Sequence, residues 1–241
     1  MDFNKLLPVV GEVNEESLER LANEMKRQIE EEDLDFDNME KKVQGQISLE
    51  NRKYGRGAVL LGPYGYFYPE QMLPAMADNA SRGRLLKKAE RALYTYDFND
   101  RNEVIRIAFP PSGTTVFCMR MGKDEVYFAY EREKILSGIA FIRYDDNGFP
   151  VAVVNTRWYG KKECNGIIIE KYKDLDEASL PTQRFGEYYD GRFLDNRLVI
   201  LVNREYELTY DDKKQIVDWI EKKEEIITTE YWDYLQKHRK Y

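Results

Sequence analysis

Seven short segments rich in β-branched and aromatic residues follow one another between residues 103 and 209. They read EVIRIAF, TTVFCMRM, DEVYFAYE, GIAFIRY, FPVAVVN, GIIIEKY and RLVILVN. Segments of this length and composition, bounded by turn residues, are typical of β-strands. This series constrains the fold more than any other feature, because so many consecutive strands have to be paired in a sheet.

The turn residues between these segments predict how the strands are connected. Asn147-Gly148 and Asn165-Gly166 are dipeptides that readily supply the positive φ angles of a tight hairpin, and Gly122-Lys123 is a third candidate. Turns this short join antiparallel neighbours, because a parallel crossover needs about a dozen residues or more. The sequence therefore predicts an antiparallel meander of about five to seven strands.

The N-terminal region predicts a helix followed by an irregular acidic stretch. Asn14 can cap a helix that opens with two acids and then places Leu18, Leu21, Met25 and Ile29 at helical spacing. The periodicity ends near residue 31. Residues 30–42, EEEDLDFDNMEKK, have no such period, which indicates a linker or a mobile arm.

Residues 81–94 predict a second helix with one apolar side and one basic side. The basic side consists of Arg84, Lys87, Lys88 and Arg91. This side is a candidate basic surface, although a few bases on a helix are more often an ordinary solvated face.

The C-terminal region also has helical signals. Thr209 and Asp212 have the spacing of a capping box, and residues 216–227 repeat apolar side chains at helical spacing. A short helix over residues 231–235 is predicted after it. The fold class predicted from the whole chain is α+β, an antiparallel meander at about 103–209 flanked by N-terminal and C-terminal helices. The predicted domains are an acidic helical segment, 1–50, and a single α+β domain with C-terminal helices, 51–241.

The charge is negative overall and unevenly distributed. The net charge is −7, which disfavours a general affinity for nucleic acid. Residues 1–50 carry 14 acidic and 6 basic side chains, whereas residues 51–94 carry 3 acidic and 8 basic ones. We therefore predict that the acidic N-terminal helix packs near the basic helix 81–94 or balances its charge. No run approaches membrane-spanning length and the first residues do not read as a signal peptide, so we expect a cytoplasmic protein, or a virion component if the chain is phage-encoded.

The residues that usually carry catalysis are scarce. The only histidine, His238, lies in a charged tail near the C-terminus, and the two cysteines, Cys118 and Cys164, form no CxxC pair. Gly57 and Gly62 have phosphate-loop spacing, but Pro63 follows where a lysine is required. We therefore predict no catalytic histidine or cysteine and no cofactor.

Two acidic clusters leave an alternative open. One contains Asp97, Asp100 and Glu103, and the other is Asp145-Asp146 before a predicted turn. Acidic clusters can bind magnesium, but turns select Asp and Asn for backbone reasons alone. We expect no metal site, and keep a metal-dependent hydrolase or nuclease that uses carboxylates alone as the alternative function.

Three tyrosines give the strongest candidate contact surface. Tyr64, Tyr66 and Tyr68 alternate in GPYGYFYP, a segment restricted by its prolines, and share one side if it is extended. Tyrosine is enriched in interface hot spots, although packing under the sheet is the more frequent role. The leading hypothesis is a non-catalytic protein-binding protein, either a phage structural or assembly subunit or a bacterial accessory protein of the immunity type. We expect a protein partner, with a homo-oligomer or a larger assembly also open.

Overall fold

The structure is a computed structural model, and it describes residues 1–56, 84–86, 88–160, 163–175, 182–195, 197–212 and 216–228. The described helices all lie near the N-terminus. They are a 3₁₀ turn at Phe3–Lys5, α1 at Leu7–Gly11, α2 at Glu15–Glu31 and α3 at Phe36–Gln44. None of the helices in these ranges is long and apolar enough to cross a membrane.

The remaining described elements are strands of one antiparallel sheet. They are β1 Ser48–Arg56, β2 Arg84–Leu86, β3 Tyr94–Phe98, β4 Val104–Phe109, β5 Thr114–Met121, β6 Asp124–Tyr130, β7 Leu136–Tyr144, β8 Pro150–Tyr159, β9 Glu163–Asp174, β10 Gln183–Leu194, β11 Arg197–Tyr210 and β12 Ile216–Thr228. From β3 to β12 each strand pairs with the next in the chain, and β1 and then β2 complete the other end. The predicted meander is present, but it is longer than predicted.

The predicted α+β class is wrong, because most of the described chain is β-sheet and the described part of the C-terminal region contains strands rather than flanking helices. Of the residues predicted to be helical there, Thr209 and Tyr210 belong to β11 and residues 216–227 belong to β12. β11 pairs with β10 along almost its whole length, and β12 pairs with β11. These long-range hydrogen bonds outweigh the weak local helix signal. The short helix predicted over 231–235 lies outside the described residues.

Two of the three predicted hairpin turns are confirmed. Gly148, at φ +75°, lies between β7 and β8, and Gly122, at φ +67°, lies between β5 and β6. The hairpin predicted at Asn165-Gly166 is wrong, because both residues lie inside β9, where Gly166 pairs with Arg157 and Arg192. The chain leaves β8 earlier, at Gly160 with φ +64°, because pairing on both sides extends β9 past the local turn signal.

The N-terminal helix is confirmed together with its cap. The Asn14 side chain accepts a hydrogen bond from the backbone N–H of Ser17 at 2.9 Å, and the Ser17 hydroxyl accepts one from the backbone N–H of Asn14 at 2.8 Å. These reciprocal bonds satisfy backbone donors that a helix start leaves free. The apolar side of α2 lies on the sheet, with Leu18 close to Gly191 of β10. A Cβ at Gly191 would lie 2.9 Å from Leu18 Cδ1, so this glycine permits the close approach.

The predicted linker or mobile arm is a packed helix, α3. Phe36 contacts the rings of Phe117 and Tyr130 at centroid distances of 5.3 and 5.5 Å. The Tyr130 hydroxyl also donates a hydrogen bond to the Leu34 carbonyl at 2.6 Å. The helical signal in the sequence is weak here, because a helix this short buries few residues, chiefly Met39 and Val43.

We call the side of the sheet covered by α1–α3 the helix face, and the opposite side the tyrosine face. The helix face and the helices form one buried apolar cluster. The tyrosine face carries a second cluster in which six tyrosines are buried, namely Tyr96, Tyr127, Tyr172, Tyr188, Tyr206 and Tyr210. The sheet is therefore buried on both sides over its central strands.

Candidate functional site

The predicted basic surface does not form a helix face. Arg84 lies in β2, and Lys88 and Arg91 are exposed in a turn where Arg91 has φ +66°. Lys87 lies outside the described residues, as do Tyr64, Tyr66 and Tyr68. The predicted proximity to the acidic helix is also wrong for the described part, because α2 packs on β9 and β11, towards the opposite end of the sheet from β2.

Two acidic residues of the first cluster, Asp97 and Glu103, take part in ordinary polar contacts, and Asp100 is exposed in the turn between β3 and β4. Asp97 is fully buried on the helix face and accepts hydrogen bonds from Arg52 Nε at 2.6 Å and Arg106 Nε at 2.7 Å. Two guanidinium groups thus neutralise one buried carboxylate, which is a structural ion pair. Glu103 accepts a hydrogen bond from the Asn99 side chain at 2.9 Å.

In the second acidic cluster, Asp145 stabilises the turn between β7 and β8. Asp145 accepts hydrogen bonds from the backbone N–H groups of Asn147 at 2.9 Å and Phe149 at 2.8 Å, the backbone role that selects Asp in turns. Within the ranges that the structure describes, no three His, Cys, Asp or Glu side chains come together in a way that could hold a metal ion. The described residues therefore provide no metal site for a hydrolase or nuclease that uses carboxylates alone.

Both cysteines are buried, one on each side of the sheet. Burial raises the pKa of Cys164 to about 12 and raises the pKa of Cys118 well above its ordinary value. Neither thiol is ionised near neutral pH, so neither supplies the thiolate that nucleophilic catalysis requires. His238 lies outside the described residues.

A groove of about 540 Å³ opens on the tyrosine face between β4 and β8. Tyr94 and Phe109 stack at 4.6 Å on one side of it, and its floor contains the paired small residues Ala129 and Gly138. Its charged lining residues include one acid and one base, Glu131 and Arg157. The charges of the lining therefore favour neither an anionic nor a cationic ligand.

β12, at one end of the described sheet, carries several exposed apolar side chains. β12 pairs with β11 on one side, and no described strand pairs with its other side. Val217, Ile220 and Ile226 are 50%, 58% and 59% exposed. A long edge strand presents unpaired N–H and C=O groups, which form a template for another strand. This edge of the sheet, formed by the strand at residues 216–228, is here called the β12 edge.

β12 is stabilised by side-chain contacts with β11, in addition to the backbone pairing of the two strands. Trp219 contacts the ring of Tyr206 at 5.7 Å on the tyrosine face. Glu224 pairs with Arg204 at 3.2 Å, and Lys222 pairs with Glu207 of β11 at 2.6 Å. These contacts fix the strand in an extended conformation before a partner arrives, which reduces the ordering cost of binding.

β12 is thirteen residues long and carries features that limit its pairing. It has two irregularities, where Val217 and Lys222 have no counterpart on β11, and it has two adjacent lysines. Bulges and lysines are devices that limit indiscriminate edge pairing. The β12 edge is therefore long enough to bind a strand and selective in which strand it accepts.

Comparisons of the chain with protein-family models, with curated proteins and with solved structures give no match, so this site is interpreted from its own geometry. The sequence does not predict this site, because the spacing of apolar residues in 216–227 favours a helix. A usable signal was present, since Ile216, Val217, Ile220, Ile226 and Ile227 are β-branched.

Proposed function

We propose that the protein is a non-catalytic protein-binding protein, and that it binds through the β12 edge. The observation that supports the proposal is the thirteen-residue edge strand with its exposed apolar side chains. Binding by strand addition draws its affinity from main-chain hydrogen bonds and its specificity from the side chains that alternate along the strand. The β12 edge offers both.

The side chains of the edge define the chemistry of the partner segment. Exposed Val217, Ile220 and Ile226 favour an extended segment with β-branched or other apolar residues. The central Lys222-Lys223-Glu224-Glu225 run favours a segment that carries both signs of charge. A uniformly basic or uniformly acidic partner would meet like charge at part of this run.

Two narrower classes remain proposals, a phage structural or assembly subunit and an accessory protein of the immunity type. They differ in the partner. An assembly subunit binds copies of itself or of other subunits, whereas an immunity-type protein binds one toxin. Edge-to-edge strand pairing between copies suits a subunit that binds itself, because every copy carries the same edge.

The test is capture of partners by the wild-type chain and by the double variant Ile220→Lys/Ile226→Lys. Both isoleucines are exposed, so the variant should keep its circular dichroism spectrum and melting temperature, while the added charges disfavour a neighbouring strand. We expect wild type to retain a defined protein and the variant to lose most of it. Equal retention by a folded variant would place the binding surface elsewhere.

A matched control separates the edge from a general effect of charge. Leu49 is 71% exposed near the opposite end of the sheet, in β1. Leu49→Lys adds one positive charge there, the same change that Ile220→Lys alone makes at the β12 edge, and should leave capture unchanged. Equal losses in Leu49→Lys and in the edge variant would attribute the effect to net charge and overturn the proposal.

A further inference from the structure

The centre of β12 has a charge order that is complementary to itself when read backwards. Lys222 and Lys223 precede Glu224 and Glu225. An antiparallel copy of the same strand runs in the opposite direction, so its glutamates lie beside the lysines of the first copy. Opposite charges in cross-strand pairs stabilise a sheet, and like charges destabilise it.

The faces of the strand select one register. Lys223 pairs with Glu205 of β11 and Glu225 pairs with Asn203, so Lys223 and Glu225 point to the same side, the helix face. Glu224 pairs with Arg204 and points to the tyrosine face. If a two-fold axis passes beside Glu224, Lys223 of each copy lies opposite Glu225 of the other. This register makes two identical cross-copy ion pairs on one face.

The same register brings the two Glu224 side chains together, and the structure already compensates this contact. Arg204 contacts Glu224 at 3.2 Å within each chain. Two guanidinium groups would therefore flank the two carboxylates at the axis, which removes most of the like-charge cost.

The bulge at Lys222 sets which residues of the two copies are paired on either side of the charged centre. Because Lys222 has no counterpart on β11, the strand shifts by one residue between Glu221 and Lys223. Beyond the bulge, the backbone of Ile220 in one copy is paired with that of position 227 in the other. Ile220, 58% exposed in the single chain, is covered by the added strand.

We infer that the β12 edge binds the β12 edge of a second copy of this chain, antiparallel and centred on Glu224, so that one sheet continues through both copies. This inference rests on the proposed function and names its partner. In the single chain Lys223 Nζ and Glu225 Oε2 pair within the strand at 3.3 Å, with both side chains 53% exposed. Exchange of these partners between two copies needs only side-chain rotation.

The test is charge reversal followed by mixing, read by sedimentation velocity and native mass spectrometry on the purified chain. We expect wild type to form a dimer. Lys223→Glu alone sets Glu against Glu, Glu225→Lys alone sets Lys against Lys, and each should raise the dimer dissociation constant roughly tenfold or more. An equal mixture of the two variants should form one-to-one heterodimers, because both cross-copy pairs are again opposite in charge.

Two further variants complete the design. The double reversal Lys223→Glu/Glu225→Lys should form a homodimer about as well as wild type. Arg20→Glu makes the same change in net charge as Lys223→Glu on the exposed side of α2, and should not affect the dimer. A wild-type chain that stays monomeric to its solubility limit overturns the inference, and so does a mixture that gives no heterodimer.

The failure of this inference is distinguishable from the failure of the proposed function. If the chain is monomeric but captures another protein that Ile220→Lys/Ile226→Lys loses, the second copy is the wrong partner and the edge still binds protein. If no dimer forms and the edge variant captures as well as wild type, both fail.

Discussion

The central strands and the β12 end belong to one sheet but are stabilised in different ways. Ile139, Phe141 and Val154, in neighbouring strands, are fully buried against the N-terminal helices. In β12 the side chains of residues 220–226 are all exposed, and the strand is held mainly by pairing with β11. We therefore expect substitutions in the central strands to lower the stability of the fold, and substitutions of exposed side chains in β12 to have little effect on it.

Alkaline pH should have the largest effect, because it acts on the buried tyrosines of the centre together. Burial, with the nearby carboxylates of Asp190 and Glu170, raises the pKa of Tyr188 above its ordinary 10. Burial likewise raises the pKa of Tyr127 and Tyr210. An acid whose folded pKa is raised contributes stability that is full below pH 10 and is lost as the pH rises towards the folded pKa.

We therefore expect complete unfolding at alkaline pH, with tyrosinate absorbance rising in the same cooperative transition in which circular dichroism is lost. Tyr188→Phe should move the midpoint of this transition to higher pH, once the change in stability that the variant shows at neutral pH is taken into account. Tyr159→Phe is the matched control, since Tyr159 is 76% exposed. If the buried tyrosines ionise while the sheet stays intact, the tyrosine face is wetter than the structure indicates.

Phe141→Ala should have the next largest effect. Phe141 is fully buried on the helix face and contacts the ring of Phe3 at 5.5 Å, so it joins the sheet to the N-terminal segment. Truncating a buried phenylalanine costs about 3–5 kcal/mol. Urea unfolding followed by circular dichroism measures this loss, and a loss below about 1 kcal/mol would mean that the N-terminal segment is not docked.

Sequence reasoning succeeded where local signals and tertiary pairing agree. The β5 segment was predicted from Thr114 to Met121 and has those bounds in the structure, because turn glycines, Gly113 and Gly122, bracket its run of apolar residues. The α2 helix was found because the Asn14 cap is a local contact with Ser17.

Sequence reasoning failed at β12 for a specific physical reason. The bulge at Lys222 places Ile220 and Lys223 on the same face of a strand, and a spacing of three residues is also that of a helix face. The candidate site depends in addition on β12 being at the end of the sheet. Strand order is a long-range property that no local spacing in residues 216–228 encodes.

Ile226→Thr should have the smallest effect on stability, and it tests the β12 side of the comparison directly. Ile226 is 59% exposed, so most of its side chain stays in contact with water in the single chain. Threonine keeps the β-branch that suits a strand. We expect the free energy of unfolding of the monomer to change by less than about 0.5 kcal/mol.

The matched control is Val154→Thr, which replaces a methyl group with a hydroxyl group of similar size at a fully buried position of β8. A buried hydroxyl without a partner costs about 1–3 kcal/mol. Urea unfolding at a protein concentration where the chain is monomeric compares the two variants, and a second series at high concentration shows whether Ile226→Thr also weakens association. If Ile226→Thr costs as much as Val154→Thr in the monomer, other parts of the chain cover the β12 edge and the contrast between the centre and the end of the sheet is lost. If it costs little in the monomer but lowers stability at high concentration, the exposed apolar residues of β12 contribute to association rather than to folding.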